Sequence, residues 1–456
     1  MSSESLLIKH WGSILFLIRS VSIVLILLGF FINTGMLSFI LGKQGSFSDT
    51  TKLLIYLTES VFILSGFILF FLQRLYLSNC SEFVKNLVCN IILLVITISI
   101  ILIVIEVSTR IFSPQKTLNE LKSSNPHVLE QGKNIPWQFK PNVSGIMQTG
   151  EFTADYSINS LGMRDKERHL EKKKNTKRIL VLGDSFTEGF GVYQNETYVS
   201  VLEDLMNVTS HVEVWNAGVL AYGPDMEYVY LKDHIKEINP DIVLLGFYAG
   251  NDILDIERSN WESDEQGLPF KIITKDYMVV DGILRLTNDN FGYYLKNLKA
   301  YLDVLFLRWS HAYVLLNNKL TGSYVEGLGK MAVFEDPLSE SVENDWKKVQ
   351  LLLFAMKNLS EANNASFQIL IIPDRVQVND AEWNYAQRKL SPVKLQKDAV
   401  QKRLLVWCKN EEVNCIDLLP YFNSSNFTYY NSLRDMHFKS LGHRRTAEIL
   451  VEKLTI

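Results

Sequence analysis

From Arg178 onward the chain alternates short, continuously apolar runs with longer helical patterns, and this alternation restricts the fold more than any other feature. The runs are Arg178–Leu182 (RILVL), Val212–Asn216 (VEVWN), Asp241–Phe247 (DIVLLGF), Phe367–Ile372 (FQILII) and Val413–Leu418 (VNCIDL). A strand that is apolar on both faces needs both faces covered, as inside a parallel sheet flanked by helices. Helical patterns at Glu196–Met206, Asp225–Ile238, Glu343–Ala362 and Lys394–Lys409 supply the cover. A last helix begins near Ser440, read as its N-cap. The fold class that follows for residues 178–456 is α/β with a parallel sheet.

One insertion, about 253–342, interrupts the alternation. It carries hairpin strands within FKIITKDYMVVDGILRL, with Asp281-Gly282 as the turn signal. An apolar helical pattern from Tyr293 to Leu316 follows, with Tyr294, Leu298, Tyr301, Leu305 and Trp309 on one face. That face reads as packing on the domain surface, or as a lid or a surface resting on a membrane.

The first quarter has a different character. Apolar runs at Ser13–Met36, Leu53–Gln73 and Leu87–Val107 are each long enough, at ~1.5 Å per helical residue, to cross a ~30 Å hydrocarbon layer. Residues 1–108 are therefore expected to be a membrane anchor of three transmembrane helices, and 109–177 a connector and domain flap. A signal peptide does not suit the first run, which is long, contains Arg19 and lacks a small-residue cleavage site. Basic residues give no orientation, because Lys9, Arg19, Arg74 and Lys85 would balance Lys43, Lys52, Arg110 and Lys116 across the layer. Glu59 and Glu106 fall at membrane depth, where acids are functional candidates. Arg110 stands four residues after Glu106, an order that suits local pairing. The run DKERHLEKKK before the first strand reads as solvated surface.

Lys+Arg 46 against Asp+Glu 50, with no long basic run, argues against a nucleic-acid partner. Cys80, Cys89, Cys408 and Cys415 show neither CxxC nor zinc-type spacing. A bridge from Cys408 to Cys415 suits an oxidising compartment. Asp435, His437 and His443 could in principle hold a metal, but no further ligand cluster supports one, and no cofactor is expected.

Chemistry gathers at the strand ends, where open α/β sheets place their ligands. After the first strand comes Gly183-Asp184-Ser185, which presents a hydroxyl near a helix N-terminus. By itself the tripeptide reads as a capped strand-to-helix turn. Asn216-Ala217-Gly218 follows the second strand and Gly250-Asn251-Asp252 the third; glycine N–H and asparagine amide groups suit an oxyanion. Taken singly, each also reads as an ordinary turn residue. The chain holds eight histidines, His10, His127, His169, His211, His234, His311, His437 and His443. Of these, His437 returns to the same edge, with Asp435 two positions earlier to orient its ring. His443 falls in the first turn of the last helix and reads as structural.

Taken in order, Gly183-Asp184-Ser185, Gly218, Gly250-Asn251-Asp252 and Asp435-Met436-His437 resemble the four blocks of the SGNH/GDSL hydrolases, of membrane-anchored bacterial type, over about 275 residues. The resemblance implies a flavodoxin-like three-layer α/β/α fold with sheet order 2-1-3-4-5. It also implies Ser185 as nucleophile, His437 as base and Asp435 as its partner. The oxyanion hole would be formed by the Ser185 amide, Gly218 and Asn251. Many members carry the acid three residues before the histidine, where this chain has Arg434; Asp-x-His followed by an aromatic is the envelope-type pattern. The segment Ile158-Asn159-Ser160-Leu161-Gly162-Met163-Arg164 resembles a stretch found ahead of the first block in anchored members, read as a flap. The expected activity is that of a membrane-anchored serine esterase acting through an acyl-enzyme on O-acyl esters of an envelope glycan or lipid. Its expected place is the bacterial inner membrane, multi-pass, with the catalytic domain periplasmic or extracellular. An O-acyltransferase using the same triad is the first alternative. A non-catalytic partner of a membrane acyltransferase is the second, and the joint presence of Ser185, Asn251 and His437 argues against it.

Overall fold

A computed structural model of the protein describes residues 127–148, 152–208, 210–274, 277–286, 328–422, 429–431 and 436–455, residues 310, 312 and 313, and short helical pieces between 19 and 27, 59 and 71, and 102 and 112. The chain divides into Met1–Ser108 and Thr109–Ile456. In the first unit Arg19 lies over the ring of Phe70, 5.8 Å from its centre. Among the described residues no helix is long and apolar enough to cross a membrane. Most of the three apolar runs, and most of the pattern from Tyr293 to Leu316, lie outside the described residues.

The second unit opens with two small antiparallel pairs, β1 (Leu129–Glu130) with β2 (Gln138–Phe139) and β3 (Ser144–Gln148) with β4 (Thr153–Ser157). Its centre is a five-stranded sheet of β5 (Lys177–Gly183), β6 (Val212–Gly218), β7 (Ile242–Tyr248), β12 (Ser366–Ile372) and β13 (Asn414–Asp417). All its pairings are parallel, and renumbered by chain order they run 2-1-3-4-5. The α/β class and the expected strand order are both present.

Alternation along each strand divides two cores. Leu180, Leu182, Val243, Leu245 and Ile369 face one side, where α3 (Pro224–Ile238), α5 (Glu340–Ala362) and α8 (Ala399–Asn410) pack. Ile179, Val181, Ile242, Leu244 and Leu370 face the other, under α2 (Tyr198–Met206) and α9 (Ser440–Lys453). Each such fully buried aliphatic side chain stabilises the sheet by about 1.5–3 kcal/mol.

Departures from the sequence reading have local causes. Pro269–Thr274 (β9) pairs back onto Ser259–Ser263 (β8), so the insertion holds two hairpins. The second, β10 (Tyr277–Val280) with β11 (Ile283–Leu286), turns at Asp281-Gly282, φ 52° and 77°. The helix expected from Lys394 starts at Ala399 because Leu395 bridges Glu335 and the Gln396 N–H donates to Phe334 O. Ser440 is the first residue of its helix, with Lys439 as N-cap. Two short helices, α6 (Arg375–Val378) and α7 (Asp380–Leu390), were not expected. The charged run is not wholly solvated: Asp165 and Arg168 are buried, paired at 2.8 Å, and Arg168 also meets Glu203 at 2.7 Å. Arg168 caps the Val214 carbonyl and Asp165 accepts from the Asn216 N–H, so both serve the β6 backbone. Cys408 and Cys415 form a disulfide that ties α8 to β13.

Candidate active site

β5 ends in Gly183 at φ 153°, a conformation that favours glycine, and a Cβ there would collide with the Thr187 hydroxyl. The chain then enters a single helical turn, α1 (Ser185–Glu188). Asp184 caps it, its carboxylate accepting from the Phe186 N–H at 2.8 Å. Burial pushes the Asp184 carboxyl up to about 6, against the pull of that N–H, of His437 and of Lys330. Ser185 stands first in the turn, so its own N–H is one of those the helix leaves unused.

Gly218, at the end of β6, stands opposite Gly183 across the ladder. A side chain at Gly218 would overlap the backbone of Thr187 and Glu188, so glycine here lets the second strand end against the serine turn. The Gly218 N–H donates to Asn216 Oδ1 at 3.0 Å.

His437 arrives from the far end of the chain. Phe438 beside it is fully buried among Phe186, Phe422 and Tyr430, and Tyr430 and Phe438 form a bridge. With Phe438 anchored in the core, the chain bends at His437 and leaves its ring half-buried beside Ser185. The Asn431 N–H donates to the His437 carbonyl at 2.8 Å, and the ring lies 4.5 Å from Phe190 and 5.1 Å from Phe186, centre to centre. Ser185 Oγ and His437 Nε2 are 2.6 Å apart. That distance suits transfer of the hydroxyl proton to the ring. Asp435 lies outside the described residues.

Asn251 follows β7 and precedes α4 (Asp252–Asp255). Its side chain makes no cap bond; Nδ2 donates to Asp255 at 2.8 Å. Asp252 accepts from the Tyr248 N–H at 2.8 Å and so fixes the end of β7. Behind these residues lies a nest of buried acids, Asp184, Glu227, Asp252 and Asp255. Burial, and then their mutual repulsion, raises Glu227 and Asp252 well above the usual carboxylate range. Burial lifts Asp255 to about 7, opposed chiefly by Arg258. Among the described residues no three His, Cys, Asp or Glu are arranged to hold a metal.

Of three residues that hold the site together, Glu188 and Asp255 escaped the sequence reading, and Arg164 entered it only as part of the flap segment. Glu188 accepts from the Tyr156 hydroxyl at 2.6 Å and from the Leu220 N–H, tying the serine turn to the flap and to the turn after β6. Arg164 is fully buried and donates to the carbonyls of Asp155, Glu188, Gly189 and Val192. Asp255 is the third. The usable signals were spacing: Glu188 is three residues after Ser185, and Asp255 four after Asn251. His443 takes the structural part expected of it. It is buried, its Nδ1 accepts from the Tyr198 N–H at 3.1 Å, and burial presses its ring down to about 3.

A cavity of about 260 Å³ adjoins this edge, walled by Leu129, Phe139, Met147, Phe190, Leu220 and Ile283. It shares Phe190 with His437. A larger cavity of about 700 Å³ lies between α5 and α8, lined by residues such as Trp346, Phe354 and Arg403, and none of the candidate residues lines it.

No protein-family model and no curated protein matches the sequence. Among solved structures, TesA is 13% identical, covering 61% of this chain and 98% of its own, with a TM-score of 0.33. A G-D-S-L family lipolytic protein from Desulfitobacterium hafniense is 12% identical, covering 61% and 99%, at 0.32. The psychrotrophic esterase EstA from Pseudoalteromonas is 14% identical, covering 62% and 97%, at 0.31. The solved structures similar to about three fifths of the chain include G-D-S-L-type lipolytic proteins and an esterase.

Proposed function

We propose that the α/β domain is a serine esterase working through an acyl-enzyme. The observation that carries this reading is the 2.6 Å contact between Ser185 Oγ and His437 Nε2 at the carboxyl edge of the sheet. Ser185 Oγ attacks the ester carbonyl while its proton passes to Nε2, and the carbonyl oxygen becomes an oxyanion. Collapse breaks the bond to the alcohol oxygen, which takes the proton from His437 and leaves. Water then attacks the acyl-enzyme, giving its proton to His437; the acyl–Oγ bond breaks, His437 returns the proton to Ser185 Oγ, and the acid departs. Asp435 is assigned the task of holding the ring. The oxyanion falls to the Ser185 amide and the second Nδ2 hydrogen of Asn251. Gly218 joins them when the oxyanion outcompetes Asn216 Oδ1 for its N–H.

The substrate in this reading is an O-acyl ester of an envelope glycan or lipid, brought to the site by a three-helix anchor in residues 1–108. Two features support it: the three apolar runs in the sequence, and the mainly apolar cavity that would take a small acyl group beside Phe190. The Cys408–Cys415 disulfide supports an oxidising, extracytoplasmic side for the domain, a choice the basic residues left open. An acceptor hydroxyl in place of water would make the same site an acyltransferase, with a membrane acyltransferase as a natural partner.

The test is full-length protein in detergent, offered 4-nitrophenyl acetate and a serine-directed fluorophosphonate. Wild type hydrolyses the ester and is labelled, and Ser185→Ala does neither. Equal behaviour of the two proteins in both assays would sink the reading.

A further inference from the structure

An asparagine that opens a helix ordinarily turns its side-chain oxygen onto the helix's first N–H groups. Asn251 does not. The N–H groups of Leu254 and Asp255 are taken by its backbone carbonyl, and its side chain reaches instead to the last residue of the same short turn. There Nδ2 meets Asp255 Oδ2 at 2.8 Å, while Arg258 Nη1 forms an ion pair with Asp255 Oδ1 at 2.7 Å. Asp255 is only 4% exposed, so water has little access to its carboxylate. Among the described residues Asn251 Oδ1 has no hydrogen-bond partner, so the bond to Asp255 is what orients the amide. A primary amide has two hydrogens on its nitrogen; with one committed to a fixed carboxylate, the direction of the other is set.

We propose that Asp255 is a positioning residue that holds the Asn251 amide as a donor to the oxyanion. The proposal rests on the serine-esterase reading. Burying a carboxylate costs stability unless it is paired. Here that cost serves preorganisation: the donor is aimed before charge develops on the substrate, so no reorientation accompanies the reaction.

The experiment is a double-mutant cycle on full-length protein, with 4-nitrophenyl acetate hydrolysis and the rate of fluorophosphonate labelling as readouts. Asp255→Ala is expected to lower kcat roughly tenfold or more, with KM changed less than about threefold, because the interaction is made in the transition state. In the Asn251→Ala background the same change is expected to cost less than about twofold, since the group that Asp255 orients is already gone. A loss by the same factor in both backgrounds overturns the proposal, as does an unchanged kcat in a folded Asp255→Ala protein. If Asp255→Ala does not fold, Asp255→Leu, which fills the space without an acceptor for the Asn251 amide, replaces it in the cycle with the same criteria. Inactive Ser185→Ala with additive Asp255 and Asn251 effects overturns this assignment alone. Full activity in Ser185→Ala overturns the esterase reading and this proposal together.

Discussion

Ser185 Oγ and His437 Nε2 meet at 2.6 Å although 252 positions separate them in the chain. The His437 ring rests on Phe190 and Phe186 at the surface of the site, while the neighbouring Phe438 carries the packing. His437→Ala should therefore lower ester hydrolysis by about 10⁴-fold and abolish fluorophosphonate labelling. The melting temperature should change little. Labelling at the wild-type rate in a folded His437→Ala protein would show that another group activates Ser185.

His443 should behave in the opposite way. It is buried and accepts the Tyr198 N–H. His443→Ala leaves that N–H without its acceptor and opens a cavity, a loss of about 2–4 kcal/mol. Thermal melting should show the drop. The protein that remains folded should still label at Ser185, and loss of labelling without loss of stability would move the base from His437 to His443.

Arg164 gathers four carbonyls around the end of the serine turn. Arg164→Met keeps much of the side-chain volume but strips the donors from buried oxygens, at about 1–3 kcal/mol for each one left unpaired. The melting temperature should fall markedly, and limited proteolysis should open first between 152 and 192. An unchanged melting temperature would mean that water satisfies those carbonyls.

The buried acids predict a pH dependence of stability with a definite sign. Asp255 is lifted to about 7, and Glu227 and Asp252 lie well above the carboxylate range. Groups whose pKa is raised on folding stabilise fully below their unfolded values, and that contribution is lost as pH rises through the folded ones. His443 acts oppositely: pressed down to about 3, it contributes stability above its usual value of 6.5 that is lost as pH falls toward the folded one. Above pH 6.5 the acids act alone of these groups, so the melting temperature should rise as pH falls from about 8 to about 6.5. Among the described residues Glu227 has no hydrogen-bond partner on either side-chain oxygen. Glu227→Gln should melt higher than wild type at pH 8, with the gap closing toward pH 6.5. A constant gap across that range would show that Glu227 is not held in its neutral form.

Local pattern carried the architecture. Continuous apolarity in β5, β7 and β12 announced strands covered on both faces, and the helical patterns between them announced the cover. Ser185 and His437 could be expected to meet because each follows a strand end, and a parallel sheet brings those ends to one edge. The Asp281-Gly282 turn was legible because its positive φ angles restrict which residues suit it.

What the tertiary structure decided is everything that depends on which distant groups meet. Gly218 stood in the sequence as an oxyanion donor; its N–H is held by Asn216, and its missing side chain makes room for the backbone of α1. Arg168, read as solvated, is buried because the β6 backbone and Glu203 receive it. Glu188 and Asp255 stand at helical spacings from Ser185 and Asn251, but a single such pair, like the lone Arg164, forms no repeat that marks it out in the sequence. The sequence by itself determined the α/β layers and the chemistry available at their edge, because hydrophobic periodicity is local. Only the fold decided the aim of each group, because an orientation is set by partners that chain position does not reveal.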